Sequence, residues 1–312
     1  MAADKTILAV AVGNSNSSSS SKVIRDANSA TLNGVRPYIK GMIGRLHEFG
    51  YDIGDANQYV IDYRQCTERQ LNQNFTVTSG LPTSYVILGM SKTVVDAAVN
   101  FTTAIPIIGM VSAHTGHPNL TGVSAQRYQI ARRYYDHFLE TVPSLSGQKV
   151  YILSRQGYRP SDASLTNIKK GGHLPVPIEE VAVGSPYGDN EINSAINGIS
   201  GRGGLLILPV DYFFAAAGNI ISWAQAKGLS DFWPVTDWVQ HTLPSALGGH
   251  GASQERCGQL LADKIESIWS SGGQIPPFTN IHSPENFLWQ ASQAAANQLR
   301  VTLGTPAGLD II

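Results

Sequence analysis

The sequence predicts an α/β fold of two doubly wound parallel-sheet lobes joined by a hinge. Strand-length apolar runs alternate with segments whose apolar residues recur at helical spacing, the pattern of a parallel sheet with helices outside it. The alternation restarts beyond Gly122, and a glycine-rich segment, Ala246–Gly251, precedes one further helix, as expected if the chain crosses back to the first lobe. With 312 residues the chain exceeds one average domain and is short for three.

Ile7–Val12 is a continuous apolar run ended by Gly13-Asn14-Ser15, as expected of a buried parallel strand feeding a loop. Between Gly34 and Phe49, Val35, Ile39, Met42, Ile43, Leu46 and Phe49 share a helical face, and Gly50 supplies a stop. Strand Tyr59–Tyr63, a helix over Glu68–Val77, strand Tyr85–Leu88, helix Thr93–Phe101 and strand Ile105–Val111 follow. In the long helix after Val123, Tyr128, Ala131, Tyr135, Phe138 and Leu139 line one face. The second series runs through strand Val150–Leu153, helix Ser161–Lys170, strand Val176–Val183, helix Asn190–Ile199 and strand Leu205–Leu208. Helix Phe213–Ala226, strand Trp233–Val235 and helix Glu255–Trp269 complete it. Residues 1–122 and about 250–275 are thereby assigned to the first lobe, and 123–249 with about 276–312 to the second. Gly122, Gly248 and Gly249 are candidate hinge positions.

Only 14% of residues are charged, the net charge is −1, and no block of Lys or Arg could follow a phosphate backbone, which argues against nucleic acid as a partner. No apolar run approaches the roughly 18 residues of a membrane span. The opening Met-Ala-Ala-Asp-Lys is what a mature N-terminus carrying an initiator Met after signal removal would look like, so a periplasmic or other extracytoplasmic location is an expectation. Cys66 and Cys257 lack zinc-site spacing and are too few for a disulfide framework; two separate buried thiols or one disulfide both fit. The sequons at Asn16, Asn74, Asn100 and Asn119 are explained by random occurrence.

Gly50-Tyr51-Asp52-Ile53-Gly54, followed by Asn57 and by Tyr63-Arg64, resembles a pattern of ABC transporter substrate-binding proteins of the tryptophan/tyrosine-type group. Leu88-Gly89-Met90-Ser91 with Val95–Ala98 and Ile105-Pro106-Ile107, Asn119–Ser124 and Leu208-Pro209-Val210-Asp211 are similar to further motifs of that family, in order, from about Val35 to Trp269. The resemblance implies a type I periplasmic-binding-protein fold, no cofactor, and delivery of a small molecule to a membrane permease driven by a separate ATPase; a monomer is expected. The chain departs from the family in a longer first loop, Gly13–Asn33, with serines at every position from 17 to 21, and in Ser112-Ala113-His114 where relatives often have Ser-Asp-Pro. Ligand identity is therefore not inherited.

Ligands in open α/β sheets bind at the carboxyl ends of the strands, so the loops after strands are the candidate site, in the cleft between the lobes. Gly89-Met90-Ser91-Lys92 joins a strand to a helix, where free N–H groups and the helix dipole favour a carboxylate; an ordinary N-cap at Ser91 fits equally. Ser112 borders the cleft in the same way. Asp211, and Asp237 after Thr236, could accept from a ligand ammonium or hydroxyl, or could cap helices; the resemblance gives the Asp211 position a ligand role. Ser154 and Tyr158 end the first strand of the second lobe, and Tyr212 and Trp238 are secondary candidates for a flat apolar surface.

Other motifs carry little. Ser19-Ser20-Ser21-Lys22 satisfies the acylating Ser-x-x-Lys pattern by accident of its serine run, without the accompanying boxes. His114 and His117 would need a third group to hold a metal, and Gly201-Arg202-Gly203-Gly204 precedes a strand rather than joining strand to helix. The expected function is binding of a small organic anion or zwitterion, an amino acid or aromatic acid among them, without turnover. The alternative is an enzyme on the same architecture acting on a small carboxylate, for which no nucleophile–base motif stands out. A transcription regulator's sensing core would need a DNA-binding helix pair before the first strand.

Overall fold

A computed structural model describes residues 5–12, 20–25, 37–54, 59–75, 85–111, 116–125, 129–170, 172–240, 245–281 and 287–312. The chain forms two compact units, Met1–Gln126 with Gln254–His282, and Arg127–Ser253 with Ser283–Ile312. Each contains a sheet of seven strands among the described residues.

In the first unit the strands are β1 (Lys5–Val12), β2 (Ser20–Ile24), β3 (Tyr59–Cys66), β4 (Tyr85–Gly89), β5 (Ile107–Met110), β6 (Leu120–Ser124) and, returning late in the chain, β12 (Thr279–Asn280). Their order is β12-β6-β5-β4-β1-β3-β2, all parallel to their neighbours except β2, which runs antiparallel to β3. β4, β5 and β6 are buried at every residue, as strands covered on both faces must be. The helices are α1 (Pro37–Glu48), α2 (Leu71–Phe75), α3 (Lys92–Phe101) and α10 (Gln254–Ser270). α1 and α10 pack backbone to backbone through glycine: a Cβ on Gly258 would lie 1.9 Å from the Tyr38 carbonyl oxygen, and one on Gly41 2.3 Å from that of Glu255. Cys66 and Cys257 are buried free thiols, and burial pushes the Cys66 thiol up to about 11.

The second unit holds β7 (Lys149–Arg155), β8 (Ile178–Val183), β9 (Gly203–Ile207), β10 (Leu229–Trp233), β11 (Gly248–Ala252), β13 (Phe287–Ala291) and β14 (Asp310–Ile311), ordered β14-β13-β11-β10-β9-β7-β8. The run from β8 to β11 is parallel and β13 is antiparallel to β11. Its helices are α4 (Ala131–Thr141), α5 (Arg159–Lys170), α6 (Asp189–Asn197), α7 (Asp211–Ala215), α8 (Ala217–Ala226), α9 (Asp237–Gln240) and α11 (Gln293–Leu299). Tyr134, Tyr135, Phe138, Leu206, Phe232 and Trp289 anchor one core, in which Tyr134 donates to the Ile207 carbonyl at 2.8 Å.

In both sheets the winding reverses beside the first strand. β1 is flanked by β3 and β4, with β5 and β6 beyond β4; β7 is flanked by β8 and β9, with β10 and β11 beyond β9. Crevices at such reversals, between β1 and β4 and between β7 and β9, are where open α/β sheets take ligands.

Several boundaries differ from the sequence expectation. Thr121–Ser124 is not a connection but part of β6, so the chain leaves the first unit after Gln126 rather than at 122. Gly122 serves close strand approach, since a Cβ there would lie 2.0 Å from the Gly109 carbonyl oxygen. The glycine-rich 246–251 segment contributes β11, and the return follows Ser253; Gly249 and Gly251 are needed because the Val235 and Pro234 carbonyls lie 2.2 and 2.1 Å from their would-be Cβ atoms. The helix expected over Phe213–Ala226 is two, with Ala216 between them at φ −98° and ψ 12°.

Candidate functional site

In the first unit, the turn from β4 into α3 lies at the β1/β4 reversal. Gly89 is required there because a Cβ would meet the Val95 side chain at 2.7 Å, so glycine lets α3 close onto the strand end. Met90 is buried and its N–H donates to the Val10 carbonyl at 3.2 Å. Ser91 is the N-cap, with extended backbone (φ −154°) and its Oγ accepting from Val94 N–H at 3.3 Å. That bond uses an oxygen lone pair, so the hydroxyl hydrogen stays available, and helix geometry leaves the first-turn N–H groups of Lys92 and Thr93 without intrahelical acceptors. Lys92 lies along the helix, its ammonium 2.5 Å from Asp96 in an exposed i,i+4 pair. Ser112 lies outside the described residues.

In the second unit, three loops at the strand ends bring three tyrosines around one cation. Arg155 closes β7, and its guanidinium carbon lies 4.3 Å from the Tyr187 ring centre, 4.9 Å from that of Tyr158 and 5.0 Å from that of Tyr212. Tyr158 comes from the loop after β7, Tyr187 from the loop after β8, and Tyr212 from the segment after β9. Tyr187 and Tyr212 also stack, with centres 5.5 Å apart and planes at 26°. Each ring attracts the cation by about 0.5–2 kcal/mol through its quadrupole, so the rings fix the guanidinium plane beside the β7/β9 reversal. Tyr187 sits at φ +63° in the turn Gly184-Ser185-Pro186-Tyr187-Gly188, its N–H donating to the Gly184 carbonyl at 3.1 Å. A left-handed tyrosine is an uncommon conformation, held here by the ring's packing on Arg155 and Tyr212.

Ser154 is fully buried and its hydroxyl donates to Glu180 on β8 at 2.6 Å, so its hydrogen is committed within the sheet. Asp211 occupies the first position of α7, whose N-cap is Val210; its side chain lies outside the described atoms. Thr236 and Asp237 are both buried where β10 passes into α9, and the Thr236 carbonyl accepts from Val239 N–H at 2.9 Å. Trp238 packs edge-on to Trp233 at 6.2 Å, and its indole N–H is buried without a hydrogen-bond partner among the described residues. The strand-end cluster of this unit thus contains Tyr158 and Tyr212 from the sequence reading, together with Arg155 and Tyr187, which that reading missed. Arg155 was overlooked beside Ser154, although an arginine closing an apolar strand is a usable signal; Tyr187 carries none beyond its turn residues.

Among the described residues no group of three or more His, Cys, Asp or Glu side chains is arranged to hold a metal ion. No helix of the described residues is long and apolar enough to cross a membrane.

No protein-family model matches the chain, and no curated protein matches it. Solved structures do. A conserved domain protein from Vibrio cholerae is similar over 97% of this chain and 96% of its own, with 17% identity and a TM-score of 0.72. An ABC domain from Streptococcus pneumoniae in complex with L-Trp is similar over 99% and 100%, with 16% identity and a TM-score of 0.67. A carbohydrate transporter solute binding protein from Agrobacterium radiobacter, in complex with D-arabinose, is similar over 89% and 92%, with 15% identity and a TM-score of 0.54. The chain has the two-unit α/β fold of type I periplasmic binding proteins.

Proposed function

We propose that this protein is the solute-binding component of an ABC importer, exported and monomeric, which captures a small organic anion or zwitterion and hands it unchanged to a permease served by a separate ATPase. The observation that carries this reading is Arg155, held by three tyrosines at the strand-end reversal of the second unit. A guanidinium is planar and pairs with a carboxylate through its N–H edge, and rings packed on it hold that plane in place.

The sequence alone puts the ligand carboxylate against Gly89–Lys92. Arg155 is the stronger candidate for that role, because a guanidinium pairs with a carboxylate through two parallel N–H donors. The Ser91 hydroxyl and the first-turn N–H groups of α3 are the donors that the first unit offers to a ligand acceptor. Similar structures hold L-Trp or D-arabinose, so the fold itself accommodates zwitterions and neutral sugars. The cation at Arg155 favours the anion. A thermal-shift screen of amino acids, aromatic acids, short organic acids and pentoses tests the reading, because ligand that binds only the folded chain raises its melting temperature. A shift with acids and none with pentoses is expected; a shift with pentoses alone would overturn the anion assignment.

A further inference from the structure

Away from the strand-end loops, the second unit contains two buried histidines that the binding reading does not use. His250, in the middle of β11, is 3% exposed and lies directly across the strand pair from Trp289 of β13. His137, on α4, stacks on the Trp289 ring at 3.9 Å with planes at 10°, and meets the His250 ring edge-on at 4.3 Å. The Trp289 indole N–H donates to Thr141 Oγ1 at 2.9 Å, and Thr141 in turn donates to the His137 carbonyl at 2.7 Å. One aromatic cluster and one hydrogen-bond chain therefore hold α4 against the β11–β13 edge.

The location gives the cluster its interest. The chain passes between the units after Gln126, after Ser253 and after His282. α4 is the first helix after the first passage, β11 is the last strand before the second, and β13 is the first strand after the third. We propose that the His137–His250 pair, packed on Trp289, is an acid-sensitive latch, in which protonation of either ring opens the contact between α4 and the β11–β13 edge where the chain enters and leaves the second unit.

The chemistry follows from the packing. Nδ1 of each ring is buried without a hydrogen-bond partner among the described residues, so a proton added to the pair has no carboxylate to meet it there. His137 Nε2 accepts from Arg133 Nε–H at 3.4 Å, so a proton added at Nε2 displaces that bond. The charged groups that bear on the rings are Arg133, which opposes protonation of both, His137, whose charge opposes protonation of His250, and Asp136, which favours it at His137 but is already paired with Arg132 at 2.9 Å. β11 and β13 contribute no charged side chain other than His250 itself. Burial first, then these charges, lowers His137 to about 4 and His250 to about 3, from an ordinary 6.5. Both values lie below the unfolded one, so the latch is fully effective above about pH 6.5 and is lost as pH falls toward about 4. His250 also lines a small pocket with Tyr134, Ser164, Pro209 and Pro234.

The test uses the full chain and follows hydrogen exchange, corrected for the intrinsic rate, at about pH 7 and about pH 3.5, with β4 of the first unit as the internal reference. Amides of α4, β11 and β13 are expected to lose protection by about tenfold or more relative to β4 on acidification. Trp289 emission, taken as wild type minus Trp289→Phe, is expected to be quenched over the same interval. His137→Phe keeps the stack and removes one of the two proton sites, and should reduce both effects; His250→Asn provides the second readout should that variant not fold. Unchanged protection of the three elements in wild type, or loss of the same size in the folded variant, would overturn the latch.

Discussion

The ring of Tyr187 lies 4.3 Å from the guanidinium carbon of Arg155, although Arg155 ends β7 and Tyr187 comes from the loop after β8. Tyr187 reaches it from a left-handed backbone, φ +63°, and stacks on Tyr212 at 5.5 Å behind it. An arginine packed in this way has lost most of its side-chain freedom before any ligand arrives, which lowers the ordering cost of binding.

Arg155→Ala should therefore weaken binding of a carboxylate ligand by about tenfold to a hundredfold, since a charge-assisted hydrogen bond contributes roughly 1.5–3 kcal/mol. Arg155→Lys should recover little of it, because an ammonium offers neither the planar fork nor the stacking surface. Titration calorimetry with the best acid from the screen measures both; full recovery by Lys would mean that charge alone matters.

Ser91 separates structural from ligand effects. Ser91→Ala removes the bond to Val94 N–H and should cost about 1 kcal/mol of stability as well as weakening binding. Ser91→Asp keeps a capping oxygen, so urea unfolding should show near-native stability, yet its carboxylate replaces a donor and should weaken the acid by about tenfold. Equal binding by Ser91→Asp and wild type would exclude this turn from the site.

Packing of α10 on α1 gives a stability prediction independent of ligand. Gly258→Ala and Gly41→Ala each drive a methyl group into a carbonyl of the facing helix, and each should destabilise by about 2 kcal/mol in denaturant unfolding. Gly44→Ala, on the same α1 helix with nothing within 4 Å of the new methyl, should instead stabilise by roughly 0.5–1 kcal/mol.

Asp231 is fully buried and accepts from Trp233 Nε1 at 2.8 Å and from Leu247 N–H at 3.3 Å. Burial outweighs these bonds and raises the carboxyl to about 7, from 3.8. Because the folded value is the higher, its contribution is present below the unfolded value and is lost as pH rises through about 7. This slope is opposite in sign to that of the two histidines. Asp231→Asn should remove a loss on the order of a few kcal/mol between about pH 4 and pH 7, at the expense of a lower overall stability because its amide N–H₂ cannot accept from Trp233. Parallel stability–pH curves for variant and wild type would contradict the assignment.

Much of the fold is legible in the sequence because its central strands are continuous apolar runs: Ile7–Val12 and Leu205–Leu208 read as buried strands and are β1 and β9. Elements lacking that signal are the ones missed. β2 begins within a serine run and is formed by antiparallel pairing to β3, a tertiary effect invisible to periodicity. β11 has glycine at three of its five positions and reads as a connection, whereas its glycines reflect backbone contact with the end of β10. At the site, loops after strands are predictable from topology, but the convergence of Tyr158, Tyr187 and Tyr212 on Arg155 depends on strand order, which places β8 and β9 on either side of β7. Ser154 shows the reverse: correctly at a strand end, it faces Glu180.

The most direct test of the central claim is calorimetric titration of one acid from the screen into wild type and Arg155→Ala, followed by mass spectrometry of the ligand recovered from the denatured complex. The account predicts saturable binding of one molecule per chain, its weakening in Arg155→Ala, and recovery of the acid chemically unchanged. Equal affinity in both proteins, or steady conversion of the acid during incubation, would contradict it.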